Sequence, residues 1–361
     1  MSEKTKYQMV ANIIRTDIAQ RMAAESGRLP TEIELAQLYS VSRQTIRQAL
    51  NLLEQEGLVE RKQGSGTYVS RDQGRYKTDN RNVGVIFSYI TEYIFPSIVR
   101  GIVKTLDEKG FTLSLSSTYN RTDNERAKLE YYLTHPVRGL IIEGTKTALP
   151  NPNINLYEEL EARGTSIVFI HASYDQLKNP ISVTVDDRAG GRMATEFLLD
   201  RGHSKIAAIF KSDDKQGVER CTGFMQAVSR AGLTLNDDSV CWYNDLNRAG
   251  FTTSAQLKNL INGHTAIICY NDMIALDVLK AIKLEGKSVP EDLSLISFDD
   301  SLYASIASPN ITSLSHPKDE LGRVAAEKVV NMICGKQETS KIFQWKTVER
   351  ASVKELSFAN I

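Results

Sequence analysis

The chain has 361 residues, 41% hydrophobic and 24% charged, and its 44 basic side chains balance 44 acidic ones. That composition excludes a disordered, collagen-like or low-complexity protein, and the neutral total carries no signal of a nucleic-acid partner. No run of about 18 apolar residues occurs and the polar N-terminus lacks a signal core, so a cytoplasmic protein without a transmembrane helix is expected.

Helical pattern dominates the first seventy residues. Thr31 and Glu34 have capping-box spacing, so a helix is predicted to start at Thr31, with Ile33, Leu35, Ala36 and Leu38 as its buried face. Ser40-Val41-Ser42 reads as a tight turn in which Ser42 caps a second helix. That helix buries Ile46, Ala49, Leu50 and Leu53 and leaves Arg43, Gln44 and Arg47 on its exposed N-terminal side. Gly57 suits its end, and Gly64-Ser65-Gly66 suits the turn of a short hairpin. Two short helices, a tight turn and a hairpin make a winged helix-turn-helix, whose second helix brings its first residues to base edges in the DNA major groove. Arginine is the commonest reader of guanine, so Arg43 and Arg47, one turn apart, are candidate base contacts. The plain alternative is a helical hairpin with solvated arginines.

From Leu29 to Val69 the chain reads LPTEIELAQLYSVSRQTIRQALNLLEQEGLVERKQGSGTYV. This segment resembles the GntR winged-helix family over its whole length, without gaps. The resemblance implies DNA contacts at Glu32, Arg43, Gln44, Thr45, Arg47, Gln63 and Gly64. Ser40 departs from the glycine usual in that family; a positive φ there would cost serine about 1 kcal/mol.

Residues 71–81, RDQGRYKTDNR, hold no aliphatic side chain and read as an exposed linker between a domain at 1–70 and another at 82–361. Beyond the linker, apolar runs at 83–89, 112–118, 139–144 and 166–170 recur at near-equal intervals. A second series follows at 206–212, 239–243, 266–272 and 293–300, and helical patterns fill the gaps. Repeated strand–helix units predict an α/β fold of parallel sheets covered on both faces, here two doubly wound lobes linked through 182–186.

Ligands of such sheets bind outside the carboxyl ends of the strands. Those ends carry Tyr89, Tyr93, Phe95 and Pro96, then Glu143 and His171. Lys211, Asp213, Asp214 and Arg220 follow, then Asn271, Asp272, Asp299, Asp300 and His316. Carboxylates, amides and an arginine among aromatic rings suit a sugar, whose hydroxyl pairs take hydrogen bonds while its C–H face stacks on a ring. Asp187 reads as a helix N-cap, and Asp272 and Asp300 as caps or ligands. Trp242 and Tyr243 are core aromatics or stacking platforms. No HxxxH or HxH pairs the histidines for a metal, and the four scattered cysteines read as buried, reduced thiols.

The segments ALPNPN, RGHSKIAAIF, ERCTGFMQA, AIICYNDMIALDVLKAI, VPEDLSLISFDD and ITSLSHPKDELGRVAAE resemble the LacI/GalR effector-binding domain. The resemblance runs from Val83 to about Ala351 and implies a two-lobed, periplasmic-binding-protein-like fold. It implies effector contacts at Phe95, Pro96, Glu143, His171, Arg220, Asn271, Asp299 and His316, with Tyr93 a further candidate in the same loop as Phe95. Family members often have Asp or Asn in place of His171 and Gln in place of His316, which leaves the sugar pattern open.

A GntR-type head on a LacI-type body is characteristic of the arabinose-repressor family of Gram-positive bacteria. The strings EYIFPSIVRGI, EGTKTALPNPN, FKSDDKQGVERCTGF and CYNDMIAL resemble that family too. The resemblance implies a homodimeric repressor on double-stranded operator DNA, released by L-arabinose, with no cofactor and no membrane partner. Another sugar or a sugar phosphate is the alternative effector. A sugar-transport protein would need export, and no GxSxG, Walker A, CxxC or HExxH motif points to an enzyme. A GntR-headed aminotransferase using pyridoxal phosphate is the remaining enzyme reading, and the strand–helix repeat fits a sugar binder better.

Overall fold

The computed structural model describes residues 6–21, 28–55, 58–62, 65–69 and 81–356. Three helices come first, α1 (Lys6–Arg21), α2 (Glu32–Leu38) and α3 (Arg43–Gln55), followed by a hairpin of β1 (Val59–Lys62) and β2 (Gly66–Val69). The cap expected at Thr31 is a full capping box: Thr31 Oγ1 accepts from Glu34 N, and Thr31 N donates to Glu34 Oε2 at 2.7 Å. Ser42 Oγ accepts from Thr45 N at 3.1 Å and so caps α3. Between them Ser40 adopts φ 51°, the left-handed backbone for which glycine is the usual residue.

Ile46, Ala49, Leu50 and Leu53 are buried as the helical spacing predicts, packed on Val10, Ala11 and Ile14 of α1. The expectation for α2 needs correction. Leu35 is buried, whereas Ile33 and Leu38 are exposed. A seven-residue helix packed on one partner buries one narrow stripe, and those two residues lie off it. The hairpin pairs antiparallel from Val59 opposite Val69 to Lys62 opposite Gly66. Gly57, Gln63, Gly64 and the linker at 71–80 lie outside the described residues.

The larger part consists of two six-stranded sheets. The first contains β3 (Asn82–Phe87), β4 (Thr112–Ser117), β5 (Gly139–Ile142), β6 (Ser166–Ile170) and β7 (Ile181–Val185). Its helices are α4 (Phe95–Glu108), α5 (Thr122–Thr134) and α6 (Ile154–Ala162). The second sheet contains β8 (Ile206–Lys211), β9 (Val240–Tyr243), β10 (Ala266–Cys269), β11 (Ser294–Asp299) and β12 (Thr312–Ser315). Its helices are α7 (Asp187–Leu199), α8 (Lys215–Arg230), α9 (Ala255–Gly263), α10 (Asp272–Leu284) and α11 (Leu302–Ile306).

Helix α12 (Lys318–Ile333) returns to the first lobe and packs on α4, after which β13 (Lys341–Phe343) joins β7 and β14 (Lys346–Val348) joins β12. The strand orders are β4-β3-β5-β6-β7-β13 and β9-β8-β10-β11-β12-β14. In both, the first strand lies between the second and the third, so the order reverses there and opens a crevice at the strand ends.

The chain therefore passes between the lobes three times, at Asp186-Asp187, at His316-Pro317 and at Gln344-Trp345. Close helix pairs bracket the crossings. A Cβ on Gly101 of α4 would sit 2.1 Å from the carbonyl of Asp319, and one on Gly191 of α7 would sit 2.0 Å from that of Arg220. Glycine is required at both because the partner backbone occupies the side-chain space. Of the cysteines, Cys221, Cys241 and Cys269 are buried free thiols, but Cys334 is exposed at the end of α12.

Candidate functional site

A cavity of about 180 Å³ lies between the lobes at the strand ends. Of the expected effector contacts, Tyr93, Phe95, Glu143, His171, Arg220, Asn271 and Asp299 line it. Tyr89, Lys211, Asp214, Tyr243, Asp245 and Arg248 complete much of the wall.

Most charged groups in this cavity are held in place by bonds to neighbouring residues. Glu143, just beyond β5, accepts from Ser88 N at 2.8 Å and from His171 Nδ1 at 2.9 Å. Burial opposes its charge, but the His171 and Ser88 hydrogen bonds outweigh that and hold the carboxyl below its ordinary range. The bond to Glu143 places the His171 proton on Nδ1 and leaves Nε2 without a partner among the described residues.

Arg220 points inward from α8 and is only 1% exposed. Its Nε donates to Asp187 at 2.8 Å and its Nη1 to the carbonyl of Tyr270 at 2.5 Å, with Asp299 at 3.8 Å from Nη2. The rings of Phe298, Tyr270 and Trp345 surround the guanidinium at 4.3, 4.9 and 5.0 Å. Tyr93 reaches across from the first lobe, donating to Asp299 Oδ2 at 2.7 Å and accepting from Asp272 N at 3.1 Å.

Two expected contacts do not line the cavity. Pro96 is exposed in the first turn of α4, where its fixed φ suits a helix start. His316 is buried behind the wall, its ring edge-on to His171 at 5.2 Å and to Trp345 at 5.8 Å. It sits on a chain crossing, so the packing there takes it away from the cavity.

Cap assignments shift as well. The cap of α7 is Asp186, which accepts from Ala189 N, while Asp187 enters the first turn and pairs with Arg220. Asn271, not Asp272, caps α10 through Ile274 N at 3.0 Å. Asp300 caps nothing and instead pairs with Arg350 at 2.5 Å. Strand alternation separates the two aromatics of β9: Tyr243 faces the cavity and Trp242 is 39% exposed.

In the head, Arg43, Gln44 and Arg47 lie exposed along α3, with Thr45 half-buried. Arg47 makes a two-point ion pair with Glu32, at 2.8 and 3.2 Å, which bridges α2 and α3. Gln63 and Gly64, the expected wing contacts, are outside the described residues.

Residues 6–69 match the model of bacterial regulatory proteins of the gntR family, and residues 195–353 match a periplasmic binding protein-like domain. The arabinose metabolism transcriptional repressor of Geobacillus stearothermophilus is 38% identical over 92% of this chain and 93% of its own. The chain belongs to the arabinose metabolism transcriptional repressor family. The repressor of that name from Halalkalibacterium halodurans is 37% identical over 98% of this chain and 97% of its own. The crystal structure of the transcription regulator CcpA of Lactococcus lactis superposes with a TM-score of 0.68 at 25% identity, over 76% of this chain and 99% of its own.

Membership in this family makes the protein a sugar-responsive transcriptional repressor. Among the described residues no helix is long and apolar enough to cross a membrane. Sequence reasoning overlooked Asp245 and Arg248 in the repressor's cavity wall. Asp245 lies in the turn after β9 and Arg248 opens the short 3-10 helix that follows, and the only signal was their place just after a strand end.

One buried carboxyl of the second lobe gives a pH test. Asp272 is fully buried and accepts from Ser313 Oγ at 2.8 Å, Ser301 N at 2.6 Å and Ser297 Oγ. Burial, with Asp299 nearby, raises its pKa to about 6. A folded pKa above the unfolded value means the contribution is complete below about pH 4 and is lost as pH rises through about 6. The stability of the native chain relative to Asp272→Asn is therefore expected to fall by about 3 kcal/mol between about pH 4 and pH 7. Urea unfolding of both proteins across that range measures it; a pH-independent difference contradicts it.

Proposed function

We propose that this repressor binds its operator as a symmetric dimer and is released by L-arabinose held between the two lobes. The observation that carries this reading is the chemistry of the cavity. Paired carboxylates and an immobilised guanidinium stand among the rings of Tyr89, Phe95, Tyr243 and Tyr270. Such groups recognise hydroxyl pairs and a C–H face.

The cations favour a neutral sugar over a sugar phosphate. Lys211 is engaged by Asp214 at 3.1 Å and Asp245 at 3.4 Å, Arg220 by Asp187, and Arg248 by Asp277 at 3.4 Å. A phosphate entering this wall would meet carboxylates that already hold those charges. The names of the two repressors described above support arabinose among neutral sugars.

On DNA, Arg43, Gln44, Thr45 and Arg47 would read the major groove, with Glu32 orienting Arg47 and with Gln63 and Gly64 in the wing. One winged helix buries too little surface for tight specific binding, which favours two heads on a palindrome. Sugar would favour one lobe angle by its differential affinity for the two arrangements, and operator DNA must weaken sugar binding by the same factor.

Calorimetric titration with L-arabinose, D-xylose, D-ribose, D-galactose and a pentose phosphate is the test, paired with binding to DNA selected by the protein from random sequence. L-Arabinose alone is expected to bind tightly and to lower DNA affinity. Tighter DNA binding with sugar would make the ligand a corepressor and overturn the reading.

A further inference from the structure

Bonds between the lobes occur away from the three chain crossings: those of Tyr93, the Lys215–Asp175 pair, and a group gathered around one buried amide. Asn120 follows β4 in the first lobe with φ 53°, a left-handed backbone that Asn and Asp tolerate. It is 3% exposed and is not among the residues lining the cavity. Its Oδ1 accepts from Lys146 N at 3.1 Å within its own lobe. Its Nδ2 donates across the cleft, to Asp245 at 2.5 Å and to Asp213 at 3.3 Å. Two backbone donors cross beside it. Ala148 N donates to the carbonyl of Asp213 at 3.1 Å, and Lys215 N donates to Thr147 Oγ1 at 3.0 Å.

We propose that Asn120 is a positioning residue that sets the closed angle of the two lobes. The physical basis is its charge. Asp213, Asp214 and Asp245 surround the single ammonium of Lys211, so the cluster that Asn120 meets is anionic, while Lys215 beside it is taken up by Asp175 of the first lobe. A neutral amide donor satisfies two of these carboxylates at once. A carboxylate at the same place would keep the acceptor that Lys146 uses and turn the donor into a repelling charge. Closure thus rests partly on the protein's own bonds, and a ligand in the cavity needs to supply only the balance. The consequence for sugar rests on the effector reading above; the brace itself does not.

Asn120→Asp, nearly isosteric and compatible with the same backbone, is the test variant in the full chain. Hydrogen exchange without sugar is expected to speed up by about tenfold or more at the amides of Ala148 and Lys215, the size expected for losing a bond to a charged group. Exchange in α3 should not change. Adding Asp245→Asn exchanges donor and acceptor in the shorter of the two bonds while Asp213 still faces the new carboxylate, so protection is expected to recover in part, which a merely local distortion would not do. Native exchange at both amides in Asn120→Asp, or no recovery in the double variant, overturns the proposal. The L-arabinose Kd of Asn120→Asp is expected to rise by about tenfold or more through the weakened brace. If the native chain binds no L-arabinose, the effector reading fails and the exchange result alone judges the brace.

Discussion

Replacing Arg220 by alanine is expected to silence the sugar response and to cost about 3–5 kcal/mol of stability. Both effects come from one geometry. The guanidinium is enclosed by three rings and by Asp187, Asp299 and the Tyr270 carbonyl. Removing it leaves Asp187 buried without its cation, the costly half of a broken buried pair. Arginine carries five N–H donors in a rigid fork. Those not held by the protein would meet two sugar hydroxyls, so their loss weakens sugar binding by about a hundredfold.

Arg220→Lys separates the two effects. It keeps a cation near Asp187 but lacks the fork, so it is expected to fold and still respond poorly. Sugar calorimetry, thermal unfolding and operator binding with and without sugar form the measurement. Repression should persist in Arg220→Lys because the head is untouched. An unaltered sugar response in that variant would place the effector elsewhere.

The Arg43→Ala/Arg47→Ala double variant is expected to lose operator binding by at least about a thousandfold in a two-headed complex. Each base-reading arginine is worth about 1–3 kcal/mol, and a dimer loses two per head. Arg47 leaves a second mark. Its partner Glu32 would face the DNA backbone uncompensated once the ion pair is gone. Neither arginine is buried, so stability should hardly move and sugar affinity should not move at all. Fluorescence anisotropy on labelled operator, beside sugar calorimetry, checks both halves. Normal operator affinity in the double variant would contradict the assignment of α3 as the recognition helix.

Much of this was legible along the chain because its causes are local. The capping box at Thr31, the Ser42 cap and the buried stripe of α3 follow from spacings of three and four residues. The strands appear as apolar runs because both faces of a parallel sheet are covered. Their polar ends then point to Glu143, Asn271 and Asp299, since a doubly wound sheet leaves its ligand space there. Even the departure at Ser40 was readable, as the φ of 51° bears out.

The remainder depended on contacts between segments far apart in sequence. Whether Arg220 faced solvent or core was decided by α7, which packs on α8 and brings Asp187 to it from 33 residues away. Pro96 and His316 lie near the cavity in chain order but outside it in space, one turned out by a helix start and the other drawn into a chain crossing. Asp186 took the cap expected of its neighbour, which freed Asp187 for the ion pair. The sequence by itself determined the helix-turn-helix, its hairpin, the two strand–helix series and the polar residues at their ends, but not the short strands β13 and β14, because periodicity, capping and turn preference act over a few residues. Only the tertiary structure decided which side chains meet across the cleft, since the closure of two lobes joined by three crossings is a balance of packing and paired charge that no single segment contains.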